Sequence, residues 1–119
     1  MKLRRRLTLK QNEMMFAWRR KELKSQAQIA RDYGFHQTAI SKMENGKLPV
    51  NILIEREFQT MRKIDIPDWV FLSIVRHRLG LKLSTIAREL GVATYDLGDM
   101  ERGRIKDISI YENHLSRLF

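Results

Sequence analysis

The 119-residue chain is 43% hydrophobic and 31% charged, a balance that predicts folding into one ordinary domain or two very small ones. It holds no cysteine, which excludes disulfides and thiolate metal sites, and no apolar run near the roughly 18–20 residues that span a bilayer. A net charge of +9 and a pI near 10.3 point to a polyanionic partner, either nucleic acid or an anionic membrane surface.

The charge is unevenly spread. Residues 1–65 hold 15 Lys/Arg against 7 Asp/Glu, whereas residues 66–119 hold 8 against 7, so the basic face is expected in the N-terminal half. The opening MKLRRRLTLKQ lacks a signal-peptide core, and a cytoplasmic, nucleoid-associated protein is expected. Residues 1–7 read as a basic arm carrying Arg4, Arg5 and Arg6. Such an arm lies along a DNA backbone or in a narrow minor groove, or else is a disordered solubilising tail; both readings stand. Thr8 and Gln11 have capping-box spacing, and a helix is predicted from there to about Lys24, with Met15, Trp18 and Leu23 facing inward.

The stretch 25–47, SQAQIARDYGFHQTAISKMENGK, carries two apolar stripes. Ile29, Ala30 and Tyr33 form one, and Ile40 and Met43 form the other. Ser25 is a good N-cap, and Gly34 can take the left-handed conformation that ends a helix and turns the chain. Two short helices joined by such a turn make a helix-turn-helix unit. In this unit GFHQTAISKMENGK resembles the turn and recognition helix of the Cro/phage-repressor (Xre-type) DNA-binding domains. The resemblance implies base contacts from Gln37, Thr38, Ser41 and Lys42 and a phosphate contact from Gln26. The chemistry agrees: glutamine pairs with adenine, threonine meets a thymine methyl, and serine and lysine reach bases or phosphates. Ser25, Arg19, Lys24 and Lys47 flank the helix pair and are expected to meet phosphates too. His36 stands at an N-cap position where Ser, Thr or Asp is commoner.

Pro49 breaks the chain, and 51–63 reads as a further helix with Ile54, Phe58 and Met61 inward. A second copy follows. Shifting the sequence by 57 residues aligns 8–62 with 65–119 and gives nine identities. Eight of them, including Arg19/Arg76, Gly34/Gly91, Glu44/Glu101 and Gly46/Gly103, fall between Arg19 and Gly46. The expected fold is therefore all-α: two tandem repressor-like modules of four to five short helices, at 8–63 and 64–119. The family resemblance implies that Arg19 with Glu44, and Arg76 with Glu101, form partly buried structural ion pairs.

The second copy departs where DNA contact matters. Gln37, Ala39, Ser41 and Lys42 become Thr94, Asp96, Gly98 and Asp99, and Gln26 becomes Leu83. Asp96 and Asp99 are expected to turn carboxylates toward phosphates, and Gly98 to weaken its helix. Module 2 therefore reads as an association module, for self-dimerisation, docking or a second protein partner. Trp69, Phe71, Ile74 and Phe119 are its candidate contact residues, although an ordinary core role is commoner for each taken singly. A weaker alternative keeps Thr94, Tyr95, Arg102 and Arg104 on DNA in a different pose.

An enzyme is not expected, nor any cofactor or metal. The sequence has three histidines and no phosphate-binding glycine loop. Asp96 and Asp99 alone make a solvated acidic face more readily than a metal site. The expected function is a sequence-specific transcriptional regulator of phage, plasmid or bacterial type that binds double-stranded DNA as a homodimer on a palindrome, with no membrane partner. The rival class is a protein-interaction module, such as an antitoxin or host-factor modulator, built on a repressor-like scaffold. Structured RNA is a third partner class, for which the chain shows no aromatic stacking platform.

Overall fold

The computed structural model describes residues 2–119, with side chains from Leu3 onward. The described residues are all-helical. In chain order they form α1 (Lys2–Arg6), α2 (Gln11–Lys21), α3 (Gln26–Tyr33), α4 (Gln37–Glu44) and α5 (Ile52–Phe58). A 3-10 turn (Lys63–Asp65) leads to α6 (Asp68–Arg78), α7 (Leu83–Leu90), α8 (Thr94–Glu101) and α9 (Ser109–Leu118). Adding 57 to both bounds of α2, α3 and α4 gives those of α6, α7 and α8, and 57 added to the start of α5 gives the start of α9. None of these helices is long and apolar enough to cross a membrane.

The chain divides into two compact units. One is Thr8–Ile66; the other joins the N-terminal segment through Leu7 to Pro67–Phe119. The first unit packs α2, α3, α4 and α5 around Met15, Trp18, Ile29, Ile40, Met43, Ile54 and Phe58, all buried. The Trp18 and Phe58 rings lie 6.1 Å apart, centroid to centroid, at its centre. Burial of this apolar surface is what holds helices of seven to eleven residues, which are too short to persist alone in water. Ser25 caps α3 by accepting the Gln28 N–H at 3.1 Å, and Gly34 ends it at φ +74.

Several sequence expectations change here. α2 starts at Gln11, not at a Thr8 cap, because Glu13 turns back to accept the Lys10 N–H at 2.9 Å. It ends at Lys21, and Leu23 faces solvent instead of the core, 76% exposed at φ +57. The matching position in the second unit is Gly80 at φ +68, where the left-handed turn carries no Cβ strain. The helix expected over 51–63 stops at Phe58.

The largest correction concerns residues 2–7 of the expected basic arm at 1–7; Met1 lies outside the described residues. They are not a detached basic arm. α1 packs against α6 and α9, and Leu3 and Leu7, one helical turn apart, are buried in the core of the second unit. Arg4 pairs with Asp68, and its guanidinium lies 5.3 Å from the centre of the Phe71 ring. Arg6 Nη1 donates to the Ser116 carbonyl at 3.0 Å, near the C-terminus of α9 where a cation is favoured. A five-residue helix has no local reason to form, so these contacts make it.

The same core takes two of the expected association residues. Phe71 and Ile74 are buried in the second unit, as are Leu72, Val75, Leu97 and Leu115, and are not presented for association. Trp69 is half-buried and lies over Gly103; Phe119 alone of the four is exposed, at 38%.

Candidate nucleic-acid interface

α4 buries Ile40, Met43 and Glu44 and turns Gln37, Thr38 and Lys42 to solvent, with Ser41 half-buried between them. These four residues share one face because positions i, i+1, i+4 and i+5 fall within one side of a helix. His36 leads into α4 with extended backbone and no side-chain cap; its carbonyl accepts the Ala39 N–H at 3.0 Å, and its side chain caps neither Gln37 nor Thr38. Ser41 Oγ accepts from Asn45 Nδ2 at 3.3 Å, which ties the end of the helix to its outer face.

The framework beneath is polar at one point. Arg19 donates from Nε and Nη2 to the two Glu44 oxygens at 2.6 and 2.9 Å, and from Nη1 to the Lys24 carbonyl at 3.0 Å. A bidentate pair of this kind locks α2 to the end of α4. It also removes Arg19 from the expected phosphate set: the residue is 8% exposed and its guanidinium is turned inward. Gln26 Nε2 donates to the same Glu44 at 3.0 Å, so the residue expected to hold a phosphate rests on the buried carboxylate. Ser25 is exposed at the start of α3, Lys47 is exposed past α4, and Lys24 stands 3.9 Å from Asp32.

The second unit repeats the framework and alters its surface. Arg76 donates to Glu101 at 2.8 and 3.2 Å and to the Leu81 carbonyl at 3.1 Å. Here two more donors converge on the carboxylate, Ser73 at 2.7 Å and the Tyr111 hydroxyl. Burial raises the Glu101 pKa, but the bonds from Arg76, Tyr111 and Ser73 outweigh it and hold the carboxyl below its usual range. Burial and the neighbouring Glu101 push the Tyr111 hydroxyl up, so it stays a donor.

Asp99 overturns its sequence reading. It is 8% exposed and does not face outward toward a phosphate; its Oδ1 lies 3.4 Å from Arg104 Nη1 and 3.8 Å from Arg102 Nη1. Asp96, by contrast, is exposed. Comparison of the chain with family models, with curated proteins and with solved structures gives no match. The chain's own geometry carries the functional argument.

Grouping of the N-terminal segment with the second unit also redistributes charge. Residues 8–66 hold 11 Lys/Arg against 7 Asp/Glu, a balance of +4. The other unit holds 12 against 7, a balance of +5. The basic character assigned from sequence to the N-terminal half is therefore shared by both units. Sequence reasoning also missed a patch in the first unit, where Leu48, Ile52 and Leu53 are 41%, 62% and 54% exposed. The signal was present: Ile52-Leu53-Ile54 puts three apolar residues in a row, of which this helix buries only Ile54.

Proposed function

We propose that the chain is a sequence-specific DNA-binding transcriptional regulator of the repressor type, in which α4 enters the major groove and the first unit does the reading. The observation that carries this is the outward face of α4, where Gln37, Thr38, Ser41 and Lys42 stand over a packed core. Gln37 at the first turn is set for bidentate pairing with adenine, a contact worth about 1–3 kcal/mol of discrimination. Ser25 and Gln26 at the start of α3, with Lys24 and Lys47 beside them, supply phosphate contacts; Gln26 does so through the amide edge not held by Glu44. Arg5 and Arg6, both exposed, contribute to the electrostatic attraction from the second unit, and Arg4 does so less because Asp68 offsets it.

One reading helix per chain calls for a homodimer on a palindrome, with half-site centres about 34 Å apart. The exposed Leu48, Ile52 and Leu53 supply apolar surface for that association. The same surface favours the second reading, a protein-interaction module in which the partner is a different protein. Selection from a pool of random duplexes separates them. The DNA reading expects an enriched palindromic motif whose preference is lost in Gln37→Ala while the helical signal and melting temperature are retained. Recovery of no enriched motif from the pool would refute it and favour the protein partner.

A further inference from the structure

The second unit has lost the reading residues, yet the end of α8 carries a built pair of arginines. Arg102 and Arg104 both approach Oδ1 of the buried Asp99, at 3.8 and 3.4 Å, while their own side chains are 49% and 65% exposed. The shared carboxylate oxygen offsets the repulsion between the two cations it draws together. Each guanidinium has five N–H donors and a single carboxylate accepts few of them, so the outer edges of both remain turned to solvent.

The backbone that presents the pair is fixed. Arg102 N–H donates to the Gly98 carbonyl at 3.1 Å, Gly103 to Met100 at 3.2 Å and Arg104 to Asp99 at 2.9 Å. Gly103 takes φ +77, and a Cβ there would meet the Trp69 ring at 2.6 Å, so the indole seats directly on the turn. Gly98, which weakens α8 by propensity, leaves room for the folded-back Arg102, whose Nη1 lies 3.1 Å from where a Cβ would stand. In the 57-residue register, Arg102 and Arg104 replace Asn45 and Lys47 of the first unit, so the turn after the helix gains one guanidinium and exchanges an ammonium for another.

We propose that Arg102 and Arg104 form a phosphate clamp for the DNA backbone, and that Asp99 is its positioning residue. The second unit then grips DNA without reading it. Paired, planar guanidiniums suit phosphate oxygens better than point charges do, and their prior orientation lowers the cost of ordering them on contact. Two carboxylates flank the clamp: Asp96, exposed on α8, and Asp107, which accepts the Ser109 N–H at 3.1 Å. Both carboxylates repel phosphate, so the contact is limited to the phosphates that the two guanidiniums themselves reach.

The inference rests on the DNA reading, and the test separates the two. Binding is measured by anisotropy across a salt series, on a duplex that extends a full turn beyond the selected motif on each side. The double variant Arg102→Gln, Arg104→Gln is expected to lose roughly two to four from the magnitude of the dimer's log–log salt slope, about 0.9 for each phosphate contact removed in either protomer, and to bind at least about tenfold more weakly. Its preference for the motif over scrambled duplex should stay as in wild type. The variant Arg102→Lys, Arg104→Lys should recover the slope but not the full affinity. The glutamine substitutions take both cations from Asp99, so the melting temperature is measured beside the slope, and the lysine substitutions, which keep the carboxylate paired, control for any loss of folding. An unchanged slope in the glutamine variant, with wild type binding normally, overturns the clamp alone. Failure of the wild-type chain to bind any duplex overturns the DNA reading together with the clamp.

Discussion

The two units hold the same ion pair in different company. In the first, Glu44 takes the Arg19 guanidinium and one amide proton of Gln26, a residue that stands half-exposed at the start of α3. In the second, Leu83 replaces Gln26, and Glu101 is served from inside by Ser73 and Tyr111. A second exchange follows the same direction. Asn12 bonds the Glu44 carbonyl at 3.0 Å beside Gly46, and its counterpart Trp69 covers Gly103 with an indole ring. The first unit keeps polar contacts near its surface, where a ligand can compete for them. The second has moved them inward and filled the vacated sites with apolar bulk. A duplicated framework can thus keep its geometry while one copy retains polar contacts near its surface and the other gains internal support.

The comparison breaks most visibly at the buried carboxylates. Glu101→Ala should destabilise the second unit by roughly 3–5 kcal/mol, because it strands Arg76 and leaves the Ser73 and Tyr111 hydroxyls without their acceptor. Glu44→Ala strands Arg19 in the same way but should do less harm, since Gln26 can turn to water whereas Ser73 and Tyr111 are buried. Urea denaturation followed by amide exchange in each unit measures both, and equal losses would mean that the extra donors contribute nothing. Acid should act in the same sense. The folded-state pKa of Glu101 is depressed, so its contribution is complete above the unfolded value near 4.3 and fades as pH falls through the folded value. The second unit should therefore lose stability below about pH 4 by more than its exposed carboxylates alone explain.

Next in size is the N-terminal helix. Leu3→Ala should weaken the second unit by about 2–5 kcal/mol and raise amide exchange in α6 and α9, with α2–α5 unaffected. A detached arm would give no change anywhere. The glycine pair gives the smallest and sharpest contrast. Gly46→Ala meets only Asn12 side-chain atoms at 3.7 Å and bears the left-handed penalty of about 1 kcal/mol. Gly103→Ala bears the same penalty and also drives a methyl into Trp69, so its melting temperature should fall further than that of Gly46→Ala. Equal shifts would show that the indole yields without loss.

Much of the framework was legible in the residues. The 57-residue register, the left-handed turns at Gly34 and Gly91 and the span of the α3–α4 pair follow from local rules of capping, periodicity and chirality, which act within a few residues. The outward face of α4 was legible for the same reason, since helical spacing alone sorts Gln37, Thr38 and Lys42 from Ile40 and Met43. The misplaced residues are those whose environment depends on chain far away. Leu3 and Leu7 are an ordinary pair one turn apart, and only the core formed by residues beyond 67 makes them interior. Phe71 and Ile74 look free to associate until α1 and α9 fold over α6. Asp99 looks like a repelling surface charge until Arg102 and Arg104 close on it. A sequence carries short-range geometry directly, because a turn or a cap is decided by its neighbours. Which charges are exposed and which apolar residues are spare is decided by burial, a property of the assembled tertiary structure.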